Sequence, residues 1–182
     1  MDKQLKTIYS KIDQTFEREF FYDGSEITIK RIENEVRLFK ERHPDYVMTL
    51  LGDLGKSFPE AKIENWTQFF NYDRCMRFLI EVNEELRFIA QMSIFNYFSI
   101  YPHPMKLVDG RYNYGDLVFI NKDETEICNQ IYECANGNSG DFTWLQSDIL
   151  NEVIKDFSIL ADDKKFCNEI KIADALFTEH YI

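Results

Sequence analysis

The stretch 76–101, MRFLIEVNEELRFIAQMSIFNYFSIY, decides the fold class of this chain. Apolar residues recur at every second position on each side of the polar triplet Asn83-Glu84-Glu85. Before the triplet they are Phe78, Ile80 and Val82, and after it they are Leu86, Phe88, Ala90, Met92 and Ile94. A period of two among aromatic and β-branched residues is typical of strands. The sequence therefore predicts an antiparallel hairpin near 76–101.

The alternative is one long helix over 73–98, because no glycine stands in the proposed turn. The run IFNYFSIY at 94–101 argues against a helix, since most of its residues have low helix propensity and high strand propensity. Pro102 and Pro104 then end the second strand. We favour the hairpin and keep the helix as its rival.

The residues before this stretch predict helices. Apolar residues at steps of three and four indicate amphipathic helices at about 3–22, 26–42, 44–54 and 57–70. The second ends before His43-Pro44, because a residue that precedes a proline disfavours the α conformation. The fourth rests on Ser57 and Glu60, which have the spacing of a capping box.

The C-terminal part predicts a mixture of elements. We expect a short strand at 117–120, a helix at 124–135, a loop at 136–140 and a helix from Asp141 to Phe157. The tail 168–180 fits a strand or a helix, and we favour the strand. The fold class is therefore α+β: a helical N-terminal part followed by a small antiparallel sheet packed against helices. We expect a single domain over 1–182, with a helical region at about 1–71 and a sheet-containing region at about 72–182.

The composition is that of a folded protein, since 45 % of its 182 residues are hydrophobic, enough for a packed core. The opening MDKQLKTIYSKIDQ has neither an apolar h-region nor a small-residue cleavage site, so we expect a cytoplasmic protein. No apolar stretch has the length of a membrane span. The four cysteines show no CxxC spacing, and we expect reduced, buried thiols.

The net charge of −11 is unevenly distributed. Residues 121–182 hold 13 Asp/Glu against 5 Lys/Arg, a balance of −8. Such a field repels nucleic acid and anionic membranes and attracts basic proteins, so we expect a basic protein as partner, with no direct nucleic-acid binding and no membrane. The candidate interface carboxylates are Asp123, Glu124, Glu126, Glu133, Asp141 and Asp148. Arg111, Tyr112 and Tyr114 join them, because Arg and Tyr are typical of binding hot spots.

Motifs for catalysis do not occur in the sequence. The chain lacks HExxH, GxGxxG, GxxxxGK[ST] and GxSxG. Asp123-Glu124-Thr125-Glu126 has no EF-hand pattern and is interpreted as a helix start, where acidic residues favour the helix dipole. We therefore expect no catalytic residue, no cofactor and no metal, and we expect that the protein is not an enzyme.

The segment 88–101, FIAQMSIFNYFSIY, resembles the central strand of small bacterial immunity proteins encoded beside polymorphic toxins. The ending ALFTEHY at 175–181 is similar in character. The resemblance implies a non-enzymatic cytoplasmic protein that binds one cognate toxin domain and blocks it. It assigns a role to no single residue, because contact residues in that family vary with the toxin.

Three hypotheses follow. The first is an immunity protein that neutralises a cognate toxin or nuclease through protein–protein contact. The second is a phage or mobile-element inhibitor of a host defence nuclease, whose acidic surface mimics nucleic acid and would need a regular row of carboxylates. The third is a small enzyme with a dispersed active site.

Overall fold

The computed structural model describes residues 3–21, 26–67, 74–102, 107–108, 111–112, 122–137, 141–161, 164–167 and 170–177. The helices are α1 (Lys3–Thr15), α2 (Glu26–Arg42), α3 (Tyr46–Ser57), α4 (Lys122–Asn136), α5 (Ser147–Leu150) and α6 (Ile172–Phe177). The strands are β1 (Glu19–Phe21), β2 (Lys62–Asn65), β3 (Cys75–Glu81), β4 (Arg87–Ser93), β5 (Tyr97–Pro102), β6 (Leu107–Val108), β7 (Arg111–Tyr112), β8 (Thr143–Trp144), β9 (Ser158–Ala161) and β10 (Lys164–Cys167). The α+β class is confirmed.

The predicted hairpin is confirmed and forms the centre of a sheet. Strands β3 and β4 pair antiparallel from Cys75 opposite Ser93 to Glu81 opposite Arg87. The turn needs no glycine, because the side-chain oxygen of Asn83 accepts hydrogen bonds from the backbone N–H groups of Glu85 and Leu86 at 2.9 and 2.8 Å. The whole sheet has the order β2-β3-β4-β5-β8, antiparallel except for the parallel pair of β5 and β8.

The second strand of the hairpin does not run unbroken to 101, as the sequence suggested. A tight turn at 94–96 divides it into β4 and β5, which pair with each other. Asn96 has φ 65°, a left-handed conformation that asparagine tolerates better than most residues. Its N–H donates to Ser93 O at 3.0 Å and closes the turn. The result is a three-stranded meander instead of one long hairpin.

Polar residues of the central strands are buried together with the apolar ones. Gln91, Ser93 and Ser99 are completely buried. The hydroxyl of Ser99 donates to the side-chain oxygen of Gln91 at 2.9 Å, and that of Ser93 donates to Leu176 O at 2.7 Å. Buried polar groups are tolerated when they are hydrogen-bonded. Because every residue of β4 after Arg87 is buried, both faces of the sheet are covered at this strand.

Three of the four predicted N-terminal helices are present, with changed limits. The first ends at Thr15, and 19–21 forms β1, which pairs in parallel with β9. The predicted helix at 57–70 is wrong, because Ser57 is the last residue of α3 and 62–65 forms β2. There Ile63 lies opposite Ile80. Pairing with the sheet edge prevails over the local capping pattern.

The C-terminal part departs most from the sequence predictions. The helix at 124–135 is confirmed as α4, but the helix from Asp141 to Phe157 is wrong. Its first residues pair with β5 as β8, and Asp156 has φ 61°, which a helix does not accept. The favoured strand in the tail is also wrong, since 172–177 forms α6. The predicted strand at 117–120 lies outside the described residues.

A hydrophobic cluster joins the helices to the sheet. It includes Ile8 and Ile12 of α1, Leu50 of α3, Phe98 of β5 and Leu176 of α6. Cys75, Cys128 and Cys134 form no disulfide with a described residue; the first two are buried and Cys134 is half-buried. In the part of the chain that the structure describes, no helix is long and apolar enough to cross a membrane.

Candidate partner surface

Helix α4 presents two carboxylates on its outer face. Its buried stripe consists of Cys128, Ile131 and Ala135. Glu126 and Glu133 are exposed on the opposite side, and their spacing of seven residues separates them by about 10 Å along the helix axis. The apolar stripe therefore fixes which way these two glutamates point.

The chain after α4 adds two further exposed carboxylates. The side-chain oxygen of Asn136 accepts from Phe142 N at 2.9 Å, and the hydroxyl of Tyr132 donates to Phe142 O at 2.8 Å. These bonds return the chain to the last turns of α4 and leave Asp141 exposed beside them. Asp148 is exposed in the first turn of α5, a helix held by the buried Leu150. We call Glu126, Glu133, Asp141 and Asp148 the acidic surface.

Among the described side chains, ion pairs neutralise several N-terminal carboxylates but none of the acidic surface. All ion pairs between described side chains lie within residues 11–87, for example Lys11 with Glu35 and Arg37 with Glu41. None of these pairs includes a residue of 122–157, where the sequence holds eight Asp/Glu against two Lys/Arg. The negative field of this segment is therefore not cancelled by neighbouring described cations.

His43 lies beside the acidic surface without neutralising it. Burial lowers the pKa of its imidazole, and the charge of Arg42 lowers it further, while Asp141 acts in the opposite direction. The net effect is a pKa below the ordinary value of 6.5. At neutral pH the ring is therefore uncharged and forms no ion pair with Asp141.

The remaining predicted interface residues are either less accessible to a partner than the acidic surface or are not fully described by the structure. Glu124 is half-buried on the inner side of α4, where its charge adds to burial in raising the pKa of the Cys128 thiol to about 12. Asp123 belongs to the first turn of α4, but its side chain is outside the description. Arg111 and Tyr112 form β7, a two-residue strand that pairs with β6. Tyr114 lies outside the described residues, so this half of the interface stays a prediction.

Sequence reasoning missed two carboxylates in the same segment. Asp156 is exposed in a turn, and Glu152 accepts a hydrogen bond of 2.7 Å from the hydroxyl of Tyr9. Burial and the Glu152 carboxylate together raise the pKa of Tyr9 to about 12. Both acidic residues fell within the wrongly predicted helix 141–157, so their exposure could not be inferred. The acidic excess of the segment was their only signal.

The structure also contains a basic cleft that was not predicted from the sequence. It has a volume of about 540 Å³ and lies between α1, α2 and the turn at 94–96. None of the predicted interface residues lines it. Within the described ranges, no group of three or more His, Cys, Asp or Glu side chains is arranged to hold a metal ion.

Comparison with protein-family models, with curated proteins and with solved structures finds no match to this chain.

Proposed function

We propose that this protein is a non-enzymatic inhibitor that neutralises a toxin domain by covering a basic active site with its acidic surface. The observation that carries the proposal is the concentration of exposed carboxylates on α4, at Asp141 and on α5, with no ion pair to a described cation. The resemblance of 88–101 to bacterial immunity proteins supports the same function. The site of action would then be the cytoplasm.

Electrostatics explains why such a surface suits an inhibitor. A toxin that cleaves nucleic acid needs a basic active site, and an inhibitor must reach that site before substrate does. Opposite potentials raise association rates well above those of neutral partners at low salt. The carboxylates of the acidic surface would raise the association rate, and reversing their charge would set like charges against the basic partner, which costs several kcal/mol of binding free energy.

Mimicry of nucleic acid is supported less well. Phosphates of a DNA strand follow one another at a rise of about 3.4 Å. Glu126 and Glu133 of α4 are separated by about three times that rise. This spacing fits scattered contacts with a protein better than a row that imitates phosphates.

The proposed function is tested by growth rescue. The gene for the basic protein that co-purifies with this chain would be induced alone and together with this chain in a neutral host. We expect growth arrest in the first case and restored growth in the second. A captured protein that is not toxic, or whose toxicity this chain leaves unchanged, would contradict the inhibitor function.

A further inference from the structure

The basic cleft concentrates positive charge in an acidic protein. Among the described residues, four cations line it, Lys3, Lys6 and Lys11 of α1 and Arg42 of α2, against one carboxylate, that of Glu35. The cleft thus has a local surplus of three positive charges in a chain whose net charge is −11. Like charges repel one another, so a bound anion would lower the electrostatic energy of this arrangement.

Helix periodicity explains how these side chains converge. Lys3, Lys6, Ser10 and Gln14 recur at steps of three and four residues and therefore share one face of α1. Ile8 and Ile12 lie on another face, completely or almost completely buried, and fix the rotation of the helix. The basic face is consequently turned towards the end of α2 and the turn at 94–96.

The cations differ in how far they are already neutralised. The Lys11 ammonium lies 3.2 Å from the Glu35 carboxylate and 5.4 Å from the centre of the Phe95 ring, so it is held in place. Arg42 donates its Nε to Leu38 O at 3.2 Å, which orients the guanidinium, and it forms no ion pair with a described carboxylate. Lys3 and Lys6 form no ion pair with a described residue. Three cations are therefore available to a ligand.

The wall of the cleft also offers hydrogen-bonding groups. The Ser10 hydroxyl accepts from Gln14 Nε2 at 3.3 Å, which leaves its own O–H as a donor. The side-chain oxygen of Asn96 is buried and has no hydrogen-bond partner among the described residues. Asn96 also has φ 65°. Unsatisfied polar atoms and left-handed backbone together are typical of ligand sites, where a bound group supplies the missing partner.

We propose that this cleft binds a small organic molecule that carries two or more phosphate-type negative charges. Lysine and arginine are the usual cationic partners of phosphate groups. The volume of about 540 Å³ is that of a small-molecule site.

Calorimetric titration with inorganic pyrophosphate and with ADP tests the site on the isolated chain. The double variant Lys6→Gln/Arg42→Gln removes two of the unpaired cations. The matched control is Arg37→Gln/Lys56→Gln, which removes the same residue types at exposed positions outside the cleft. We expect one-to-one binding by the parent chain and by the control, and affinity at least about tenfold weaker in the cleft variant.

Several results would overturn the proposal. The proposal is wrong if neither probe binds at millimolar concentration, or if both double variants weaken the affinity equally. It is also wrong if the chain binds a long polyanion such as heparin but neither probe. If the cleft variant fails to fold by circular dichroism, Lys3→Gln/Lys6→Gln replaces it, because both lysines are exposed. No toxin takes part in this experiment, so its failure leaves the proposed inhibitor function untouched.

Discussion

Ser93 joins two parts of the chain that lie far apart in sequence. Its hydroxyl donates to Leu176 O at 2.7 Å and accepts from Phe95 N at 3.2 Å, all in the buried interior. Two neighbouring donors act in the same way on α6: Cys75 Sγ donates to Phe177 O at 2.8 Å, and Arg74 donates to Asp174 O at 3.1 Å. The last carbonyl groups of a helix have no hydrogen-bond partner within that helix. In α6 the side chains of Arg74, Cys75 and Ser93 supply these partners.

Ser93→Ala removes a single hydroxyl group but should lower the free energy of unfolding clearly. The carbonyl of Leu176 would lose its partner in a buried place, which costs about 1–3 kcal/mol. Urea unfolding followed by circular dichroism measures the loss. Ser57→Ala is the matched control, because Ser57 is exposed at the end of α3. Equal stability of the two variants would contradict the role assigned to Ser93.

His43 should make stability depend on pH. Its pKa in the folded chain is lowered below 6.5, mainly by burial, so the unfolded chain binds the proton first as the pH falls. The contribution of His43 is complete above pH 6.5 and is lost as the pH falls below that value. We expect the free energy of unfolding of the parent chain to fall more steeply from pH 7 to about pH 5 than that of His43→Gln. Parallel curves from urea titrations at each pH would contradict this.

At the scale of elements, the sequence predicted those that depend on neighbouring residues and missed those that depend on distant partners. The hairpin of β3 and β4 was predictable because its pattern, its turn and its pairing partners are contiguous, whereas the turn at 94–96, which makes it a meander, was not predicted. Helix α6 was not predictable, because six residues permit either period and its hydrogen-bond partners, Arg74, Cys75 and Ser93, lie 83 to 102 residues earlier in the chain. Strand β2 was missed for the same reason, since only pairing with β3 makes it a strand.

The turn between β4 and β5 gives a prediction at this scale. Asn96 has φ 65°, a conformation that costs most L-residues about 1–2 kcal/mol and glycine almost nothing. Asn96→Ala should therefore lower the free energy of unfolding by about 1 kcal/mol, and Asn96→Gly should lower it less. Thermal and urea unfolding compare the two variants. An alanine variant at least as stable as the glycine variant would show that the left-handed turn is not a constraint.

At the scale of the whole molecule, charge is separated. The acidic surface lies on α4, α5 and the segment between them, whereas the basic cleft lies between α1, α2 and the turn at 94–96. The acidic surface was partly predictable, because the excess of carboxylates is visible in the sequence and exposure follows from the apolar stripe of α4. The cleft was not, because its residues come from three separate stretches that only the fold brings together.

Association kinetics should separate the acidic surface from net charge. The surface variant carries Glu126→Lys, Glu133→Lys, Asp141→Lys and Asp148→Lys. The control carries Glu33→Lys, Glu60→Lys, Glu84→Lys and Glu85→Lys, four exposed carboxylates elsewhere. Both variants change the net charge from −11 to −3, because each reversal adds two charges. With the captured partner, the surface variant should associate about tenfold more slowly than the control.

The most direct test of the inhibitor function is capture of the partner by these three forms of the chain. Tagged parent, surface variant and control would be expressed in the native host, and the proteins retained at low and moderate salt would be identified by mass spectrometry. We predict one basic protein, retained in stoichiometric amount by the parent and the control and lost from the surface variant. Equal retention by all three forms, or no retained protein, would contradict the claim that the acidic surface binds a basic partner.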